Sequence, residues 1–248
     1  MVDIVNGGRA MRRFDRISGV ALVALAAAFF IGISPVSAKA EEVGISSDTE
    51  GMAYIDSAIA NMDNDVELAF SPEEVNVYAL ITYLNLSVHP ITGINTYQQM
   101  QYAGYGCWYS DDYLNIQFDW KLTMEQEQIF DATVGMLAPY LVGPTEYDTI
   151  KNVHDWICLT TDYDDATVYG LASRHSGYNA LFEHLAVCDG YATLFQKFMD
   201  KLGIPCYCAT GNNHAWNIVW YNGAWYKVDC TWDDQDYGII YKYFMTGI

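Results

Sequence analysis

Alternating apolar and polar positions predict strands and short helices in the first half of the chain. Residues 66–70 alternate with the period of a strand. The segment 71–74 (Ser-Pro-Glu-Glu) then predicts a helix to about Leu86, because serine caps a helix, proline suits its first position and the second glutamate can close a capping box. Two aromatic-rich runs, 97–109 and 113–120, flank a polar turn, which indicates a β-hairpin.

Two further helices are predicted on either side of Gly143-Pro144. The segment 123–126 has another capping-box sequence and predicts a helix to about Tyr140. Residues 145–160 carry apolar side chains at three- and four-residue spacing, and His154 lies on that apolar face, where we expect it to be buried and hydrogen-bonded. Because Gly-Pro interrupts regular structure, we divide the chain there. The predicted division is a leader over 1–40, an α+β region over 41–143 and a second domain over 144–248.

The last sixty residues predict one long helix followed by strands. Residues 188–201 have helical apolar spacing, and Gly203 and Pro205 end the helix. Strands are predicted over 206–210, 214–221, 224–230 and 239–245. A helix followed by consecutive strands predicts an α+β fold.

The turn Asn222-Gly223 fixes the pairing of the two strands that flank it. With these two residues as the loop of a hairpin, Trp216 opposes Asp229 and His214 opposes Thr231. Opposed residues share a face, so His214 and Asp229 become diagonal neighbours about 7 Å apart at the backbone. A carboxylate at that distance can hold one imidazole nitrogen and leave the other free for a nucleophile.

Cys188 is the candidate nucleophile because it lies at the predicted N-terminus of a helix. The partial positive charge there favours a thiolate and leaves the sulfur at the turn where the helix begins. The alternative is a small buried side chain without chemistry. The presence of a His and an Asp paired across a hairpin favours the chemical interpretation.

Three segments carry a family resemblance: Cys188-Asp-Gly-Tyr, His214-Ala-Trp and Val228-Asp-Cys-Thr-Trp-Asp. In this order, after a helix of the type seen at residues 150–157, they resemble the transglutaminase-like superfamily over about residues 145–248. The resemblance implies a papain-like core, in which the helix that bears the nucleophile packs on an antiparallel sheet. It also implies Cys188 as nucleophile, His214 as base and Asp229 as the residue that orients the base. The N-terminal half then forms an α/β extension.

The reaction that the resemblance implies is acyl transfer from an amide or peptide through a thioester. Water as acceptor gives a protease or amidase, and an amine gives a transglutaminase. The Cys188 N–H is one expected oxyanion donor, and Tyr178 and Asn179 are candidates for the second. The alternative function is a non-catalytic binding or scaffolding module that uses the aromatic N-terminal half as its surface.

The first forty residues have the three parts of a secretory signal peptide. Three arginines precede an apolar run over residues 20–33, and small residues follow at Val36, Ala38 and Ala40. The run is short for a membrane span, although an uncleaved anchor is the alternative. We therefore predict a secreted or cell-surface protein with no stable membrane span after cleavage.

The net charge of the chain limits the classes of binding partner that the sequence predicts. Twelve Lys and Arg against 31 Asp and Glu give a net charge of −19, and removing residues 1–38 leaves 8 against 29, or −21. Nucleic acid and anionic membranes demand a basic surface, so we expect neither as a partner. A protein or peptide substrate is expected, and a basic one is favoured, although the acidity can also be a plain solvated surface.

The cysteines leave two alternatives open. In an exported protein the six of them suggest disulfides, with 15 possible full pairings, but a catalytic cysteine must stay free. Cys206-x-Cys208 lacks the spacer of a zinc knuckle, and the acidic run at 229–236 lacks the glycine and final glutamate of a calcium loop. From these spacings we expect no metal and no cofactor.

Overall fold

Two β-sheets with helices packed against them organise the chain, in a computed structural model that describes residues 42–88, 93–164 and 172–248. The predicted α+β class is confirmed. The predicted leader lies outside the described residues. Within the described ranges, none of the helices has the length and apolar content that a membrane crossing requires.

The first half of the chain builds the first sheet, in the order β1-β2-β5-β4. Strands β1 and β2 are parallel, and the other neighbours are antiparallel. Side chains from α1 and α2, such as Ile55 and Leu80, are fully buried against Leu68 and Ile116 of the sheet. The elements are β1 (Val43–Ile45), α1 (Asp48–Asn61), β2 (Asp65–Phe70), α2 (Val77–Val88), β3 (Gly93–Asn95), α3 (Tyr97–Met100), β4 (Tyr102–Ser110) and β5 (Tyr113–Trp120).

Helix α2 begins at Val77, so the helix start predicted after Ser71 is wrong. The Ser71 carbonyl accepts from the Glu74 N–H at 3.0 Å, which closes only a turn. Val75 is instead buried in the core, and the Asn76 side chain accepts from the Tyr78 N–H at 3.1 Å. Tertiary burial of Val75 therefore moves the helix start beyond the local capping sequence.

The second half builds the second sheet, in the antiparallel order β13-β10-β9-β8-β3, with α7 packed on β8 and β9. The thirteen strands and eight α-helices of the described ranges are completed by α4 (Met124–Leu137), α5 (Glu146–Thr160), β6 (Asp162–Tyr163), α6 (Gly177–Phe182), β7 (Leu185–Ala186), α7 (Cys188–Leu202), β8 (Cys206–Gly211), β9 (His214–Tyr221), β10 (Ala224–Val228), α8 (Cys230–Asp233), β11 (Asp234–Gln235), β12 (Gly238–Ile239) and β13 (Phe244–Gly247). Two 3-10 helices, Ala138–Leu141 and Ala172–His175, precede α5 and α6.

The core of this second sheet draws on residues before Gly143. Tyr97, Phe130 and Val134 belong to the same buried cluster as Phe195 and Val219. Strand β3 is the edge strand of the second sheet, because it pairs with β8. The division at 143/144 stays a prediction, and the packing joins α3, α4 and β3 to the C-terminal part.

The hairpin of β9 and β10 has the predicted register. Val228 pairs with Asn217, and both turn residues, Asn222 (φ 47°) and Gly223 (φ 85°), are left-handed, as a two-residue hairpin turn requires. The predicted end of the second strand, at Cys230, is wrong, however. β10 stops at Val228 because α8 begins at Cys230.

The last predicted strand, over 239–245, is also divided. β12 ends at Ile239 and β13 begins at Phe244. Between them Tyr241 takes a left-handed conformation (φ 51°), which a strand cannot continue through.

Candidate active site

Cys188 is the first residue of α7 and is half-buried. The preceding Val187 provides no side-chain cap, so the first N–H groups of the helix are not satisfied by a capping side chain. Gly190 lets this first turn pack closely, because an added Cβ would lie 2.6 Å from the Ala186 Cβ and 3.0 Å from the Ser176 carbonyl oxygen. The glycine of the Cys-Asp-Gly segment therefore sets the depth at which Cys188 sits.

Asp189, the next residue, is held by two basic groups from elsewhere in the chain. Lys121 Nζ donates to Asp189 Oδ2 at 2.9 Å, and His175 Nδ1 lies 2.9 Å from the same oxygen. Burial alone would raise the pKa of Asp189, but Lys121 and His175 outweigh it and the pKa is lowered. Asp189 therefore keeps its negative charge in the first turn of α7, where the partial positive charge of the helix N-terminus stabilises it.

His214 opens strand β9 and lies between Cys188 and Asp229. Its Nε2 is 2.9 Å from Asp229 Oδ2, and the Cys188 side chain lies close enough to the ring to raise the pKa of His214. Because Asp229 occupies Nε2, Nδ1 is the ring nitrogen left for the thiol. Burial lowers the pKa of His214, but the hydrogen bonds with Asp229 and Cys188 outweigh it and raise the pKa to about 9.

Asp229 is fully buried and both of its carboxylate oxygens are engaged. Oδ1 accepts from the Trp232 N–H at 3.1 Å and so caps α8, while Oδ2 faces His214 and also lies 3.3 Å from Lys227 Nζ. One carboxylate therefore caps a helix and orients an imidazole. Because both oxygens are engaged, the Asp229 side chain is held in one orientation. The position of His214 therefore depends on where α8 begins.

Trp232 covers the imidazole. Its ring stacks on His214 at 4.3 Å between centroids and 7° between planes, whereas Trp216 lies farther away at 5.9 Å. Lys227 Nζ is 4.6 Å from both indole rings. Trp232 is itself 43% exposed, so it shields one face of His214 but leaves the neighbourhood open to solvent.

A second Cys-His-Asp set exists on α5 and is buried. Cys158 Sγ lies 3.8 Å from His154 Nε2, and His154 Nδ1 lies 2.9 Å from Asp155 Oδ1. Burial raises the pKa of Cys158. Burial also opposes charge on His154, but the nearby carboxylates of Asp155 and Asp233 outweigh it and raise the pKa of His154 to about 11. Both side chains have zero exposure, so no substrate reaches them. His154 is buried and hydrogen-bonded, as predicted.

The structure brings Cys188, His214 and Asp229 together. It does not bring Asn179 to a surface: that side chain is fully buried, and neither amide atom has a hydrogen-bond partner among the described residues. Tyr178 packs against Phe182 at 4.5 Å. All six cysteines lie in the described ranges and carry free thiols.

Sequence reasoning missed the residues that surround the three. Lys121 and His175 are 68 and 14 positions from Asp189, and nothing in their local sequence points to Asp189. Trp232 could have been noticed, because it lies three positions after Asp229. The helical turn of α8 places it over His214.

The raised pKa of His214 predicts a pH dependence of stability. A histidine whose pKa is raised on folding stabilises the fold fully below its unfolded pKa of about 6.5, and this contribution is lost as the pH rises through about 9. We compare the free energies of unfolding of the native chain and of His214→Gln. The difference in favour of the native chain should be larger at pH 6 than at pH 10 by about 1–3 kcal/mol. Urea unfolding of both proteins at the two pH values measures this difference, and equal differences at both would contradict the assigned His214–Asp229 contact.

A cysteine at a helix start, a histidine on an antiparallel strand and a buried aspartate define a papain-like cysteine-histidine-aspartate arrangement. Residues 137–230, which contain all three, match the model of the transglutaminase-like superfamily. This part of the chain is a transglutaminase-like domain.

Curated relatives and solved structures are similar to parts of the chain. Kyphoscoliosis peptidase of Homo sapiens is 28% identical over 105 residues, and that of Mus musculus is 27% identical, each over 36% of this chain. The chain spans only 16% of the length of these relatives. A TGase crystal structure has a TM-score of 0.41 and 17% identity over 67% of this chain and 50% of that chain. A candidate cysteine protease from Cytophaga hutchinsonii has a TM-score of 0.33 and 16% identity over 52% and 61%.

Proposed function

We propose that the chain catalyses cysteine-dependent acyl transfer from an amide or peptide, with Cys188 as nucleophile, His214 as base and acid, and Asp229 as the residue that orients His214. The observation that carries this proposal is the chain of contacts from the half-buried Cys188 through His214 to the buried Asp229. Of the two Cys-His-Asp sets in the described residues, this is the one with an accessible histidine, at 12% side-chain exposure.

The reaction proceeds through a thioester. His214 takes the proton of the Cys188 thiol, and the thiolate attacks the amide carbonyl to form a tetrahedral oxyanion. The Cys188 N–H, at the N-terminus of α7, is positioned to donate to that oxyanion. When the C–N bond breaks, His214 gives its proton to the departing amine and leaves an acyl-Cys188. An incoming water or amine then loses a proton to His214 and displaces the thiolate.

Solvent access favours water as the second acceptor. Trp232 covers one face of His214 and is itself 43% exposed, so water reaches the ring neighbourhood where a thioester would form. A transglutaminase needs a groove that keeps water from this thioester. We therefore include hydrolysis, as a protease or amidase, in the proposal and treat cross-linking as its competitor.

The proposal also includes export and a preference for basic substrates. It rests on the leader-like first forty residues and on the net charge of −21 without residues 1–38. Opposite charges raise the rate of encounter and are screened by salt. Capture of a Lys-rich peptide should therefore weaken as salt rises.

The choice between hydrolysis and cross-linking has a direct test. A glutamine-bearing peptide is offered to the full chain with and without a labelled primary amine. We expect ammonia release to exceed stable incorporation of the label, because water has access to the thioester. The Cys188→Ala protein is the blank, and Cys107→Ala, another half-buried cysteine, is the matched control that keeps activity. Incorporation of label faster than hydrolytic ammonia release would establish transglutamination instead.

An exposed aromatic surface favours the second candidate, a binding module. Trp108, Tyr109 and Tyr78 lie largely exposed on β4 and α2, and the two tyrosine rings contact edge to face at 5.8 Å. Such side chains are enriched at protein interfaces. If neither ammonia release nor label incorporation depends on Cys188, the chain is this binding module and not an enzyme.

A further inference from the structure

Four potential metal ligands meet in the core between α5 and α8, outside the three residues of the proposed active site. They are His154 and Cys158, four positions apart on α5, and Cys230 and Asp233, three positions apart on α8. His154, Cys158 and Asp233 have zero exposure and Cys230 has 3%. Each short spacing places its pair on one helix face, and the two helices contact each other.

The distances from His154 Nε2 to Cys158 Sγ and to Asp233 Oδ2 are close to those between ligand atoms of a tetrahedral zinc ion. Zn–S bonds of about 2.3 Å and Zn–N or Zn–O bonds of about 2.0–2.2 Å place neighbouring ligand atoms about 3.4–3.8 Å apart. His154 Nε2 is 3.8 Å from Cys158 Sγ and 3.3 Å from Asp233 Oδ2. Nε2 and the two sulfurs all lie within 4.8 Å of one another, so these three atoms close on an ion with shifts of about 1 Å. The Asp233 carboxylate lies next to Nε2 but outside this three-atom cluster, so it has to shift further to become the fourth ligand.

Two hydrogen bonds beside the cluster are of the kind that support a metal site, although the Cys158 thiol itself donates to the Cys230 carbonyl at 3.4 Å and has to give up this bond to bind an ion. His154 Nδ1 lies 2.9 Å from Asp155 Oδ1, an arrangement that orients the ring and presents Nε2 to a metal. Asp233 Oδ1 accepts from the Tyr243 N–H at 2.9 Å. The other oxygen, Oδ2, is buried, has no hydrogen bond by distance and angle among the described residues, and faces His154 Nε2 at 3.3 Å.

We propose that His154, Cys158, Cys230 and Asp233 bind one zinc ion in a closed, tetrahedral structural site. Two sulfurs, one imidazole and one carboxylate are a donor set that selects zinc over calcium or magnesium, which prefer oxygen. Zinc is bound by thiolates and by a neutral imidazole nitrogen, so its binding releases the two thiol protons and leaves Nε2 of His154 unprotonated.

A zinc ion at this site would fix the position of Asp229. Cys230 and Asp233 belong to the helix that Asp229 caps, so a metal that fixes α8 to α5 also fixes the start of that helix. A buried four-coordinate ion has no open position for substrate, and its role is therefore structural.

Metal titration of the full chain tests the proposal without any activity measurement. The reduced protein is freed of metal by a chelator and titrated first with Co²⁺ and then with Zn²⁺ against a competing chelator. We expect one ion per chain, a thiolate-to-cobalt charge-transfer band, and loss of that band when zinc is added. Cys158→Ser and Cys230→Ser should each weaken binding by about 100-fold or more. Cys208→Ser, which alters another fully buried thiol, should bind as the native chain does.

Two further measurements keep the proposal falsifiable if the serine variants fold poorly. The band should persist in Cys188→Ala, which separates this site from the proposed nucleophile. In the native chain, zinc should protect Cys158 and Cys230 from alkylation, as mapped by peptide mass. Absence of the band in the native chain, metal binding that survives both serine substitutions, or a Cys158–Cys230 disulfide in protein recovered from the producing cells would each overturn the proposal.

Discussion

Replacing Cys188 with Ala is expected to lower kcat for amide hydrolysis by about 10⁶-fold, because no thioester can form without the sulfur. The free energy of unfolding should change by less than about 1 kcal/mol, because the side chain is half-buried and its loss removes little packing. Steady-state ammonia release and urea unfolding of the same preparations measure the two quantities. Activity and stability therefore separate at this position.

Cys107→Ala is the matched control for this substitution. Cys107 is also half-buried but lies on β4 of the first sheet, where it pairs with Ile116. We expect it to keep kcat within about twofold. If Cys188→Ala keeps more than a tenth of the native kcat, the nucleophile is another group and the proposed thioester route is wrong.

The parts of the site that were predictable are those determined by local sequence. The helix start at Cys188 follows from apolar spacing, and the turn Asn222-Gly223 fixes which residues of β9 and β10 are opposed. A register error of one residue would have placed His214 on the other face of the sheet. The proximity of His214 to Asp229 could therefore be calculated before the fold was known.

The parts that were not predictable depend on contacts between distant segments. Lys121 and Asp189 are 68 positions apart, and Cys158 and Cys230 are 72 apart, so no spacing rule connects them. Zinc-ligand spacings within one segment do not include this cluster, because its residues lie on two helices far apart in the sequence. The two helices each contribute a pair at helical spacing, a pattern that appears only once α5 and α8 are known to touch.

The strand ends were mispredicted for a related reason. Asp229 was placed on a strand, but its side chain caps α8, and the helix starts where a strand was expected to continue. The contact with His214 survives because Asp229 directly follows the last paired residue, Val228. Substitutions of Asp229 can therefore separate its two roles, because asparagine keeps the helix cap and alanine does not.

Asp229→Asn is expected to lower kcat by about 10⁴-fold while leaving α8 capped. Asparagine caps helices as well as aspartate does, so its amide oxygen can still accept from the Trp232 N–H. It cannot stabilise an imidazolium, however, and the pKa of His214 should return toward its ordinary value. The pH dependence of stability that His214 confers should therefore disappear in this variant.

Asp229→Ala provides the comparison, because it removes the cap as well as the charge. It should lose a similar factor in kcat and about 1 kcal/mol more in the free energy of unfolding than Asp229→Asn. Measuring kcat, KM and urea unfolding for both variants separates orientation of His214 from stability of α8. If kcat falls by less than tenfold in Asp229→Asn, the role of Asp229 is only structural. Stacking on Trp232 would then have to orient His214.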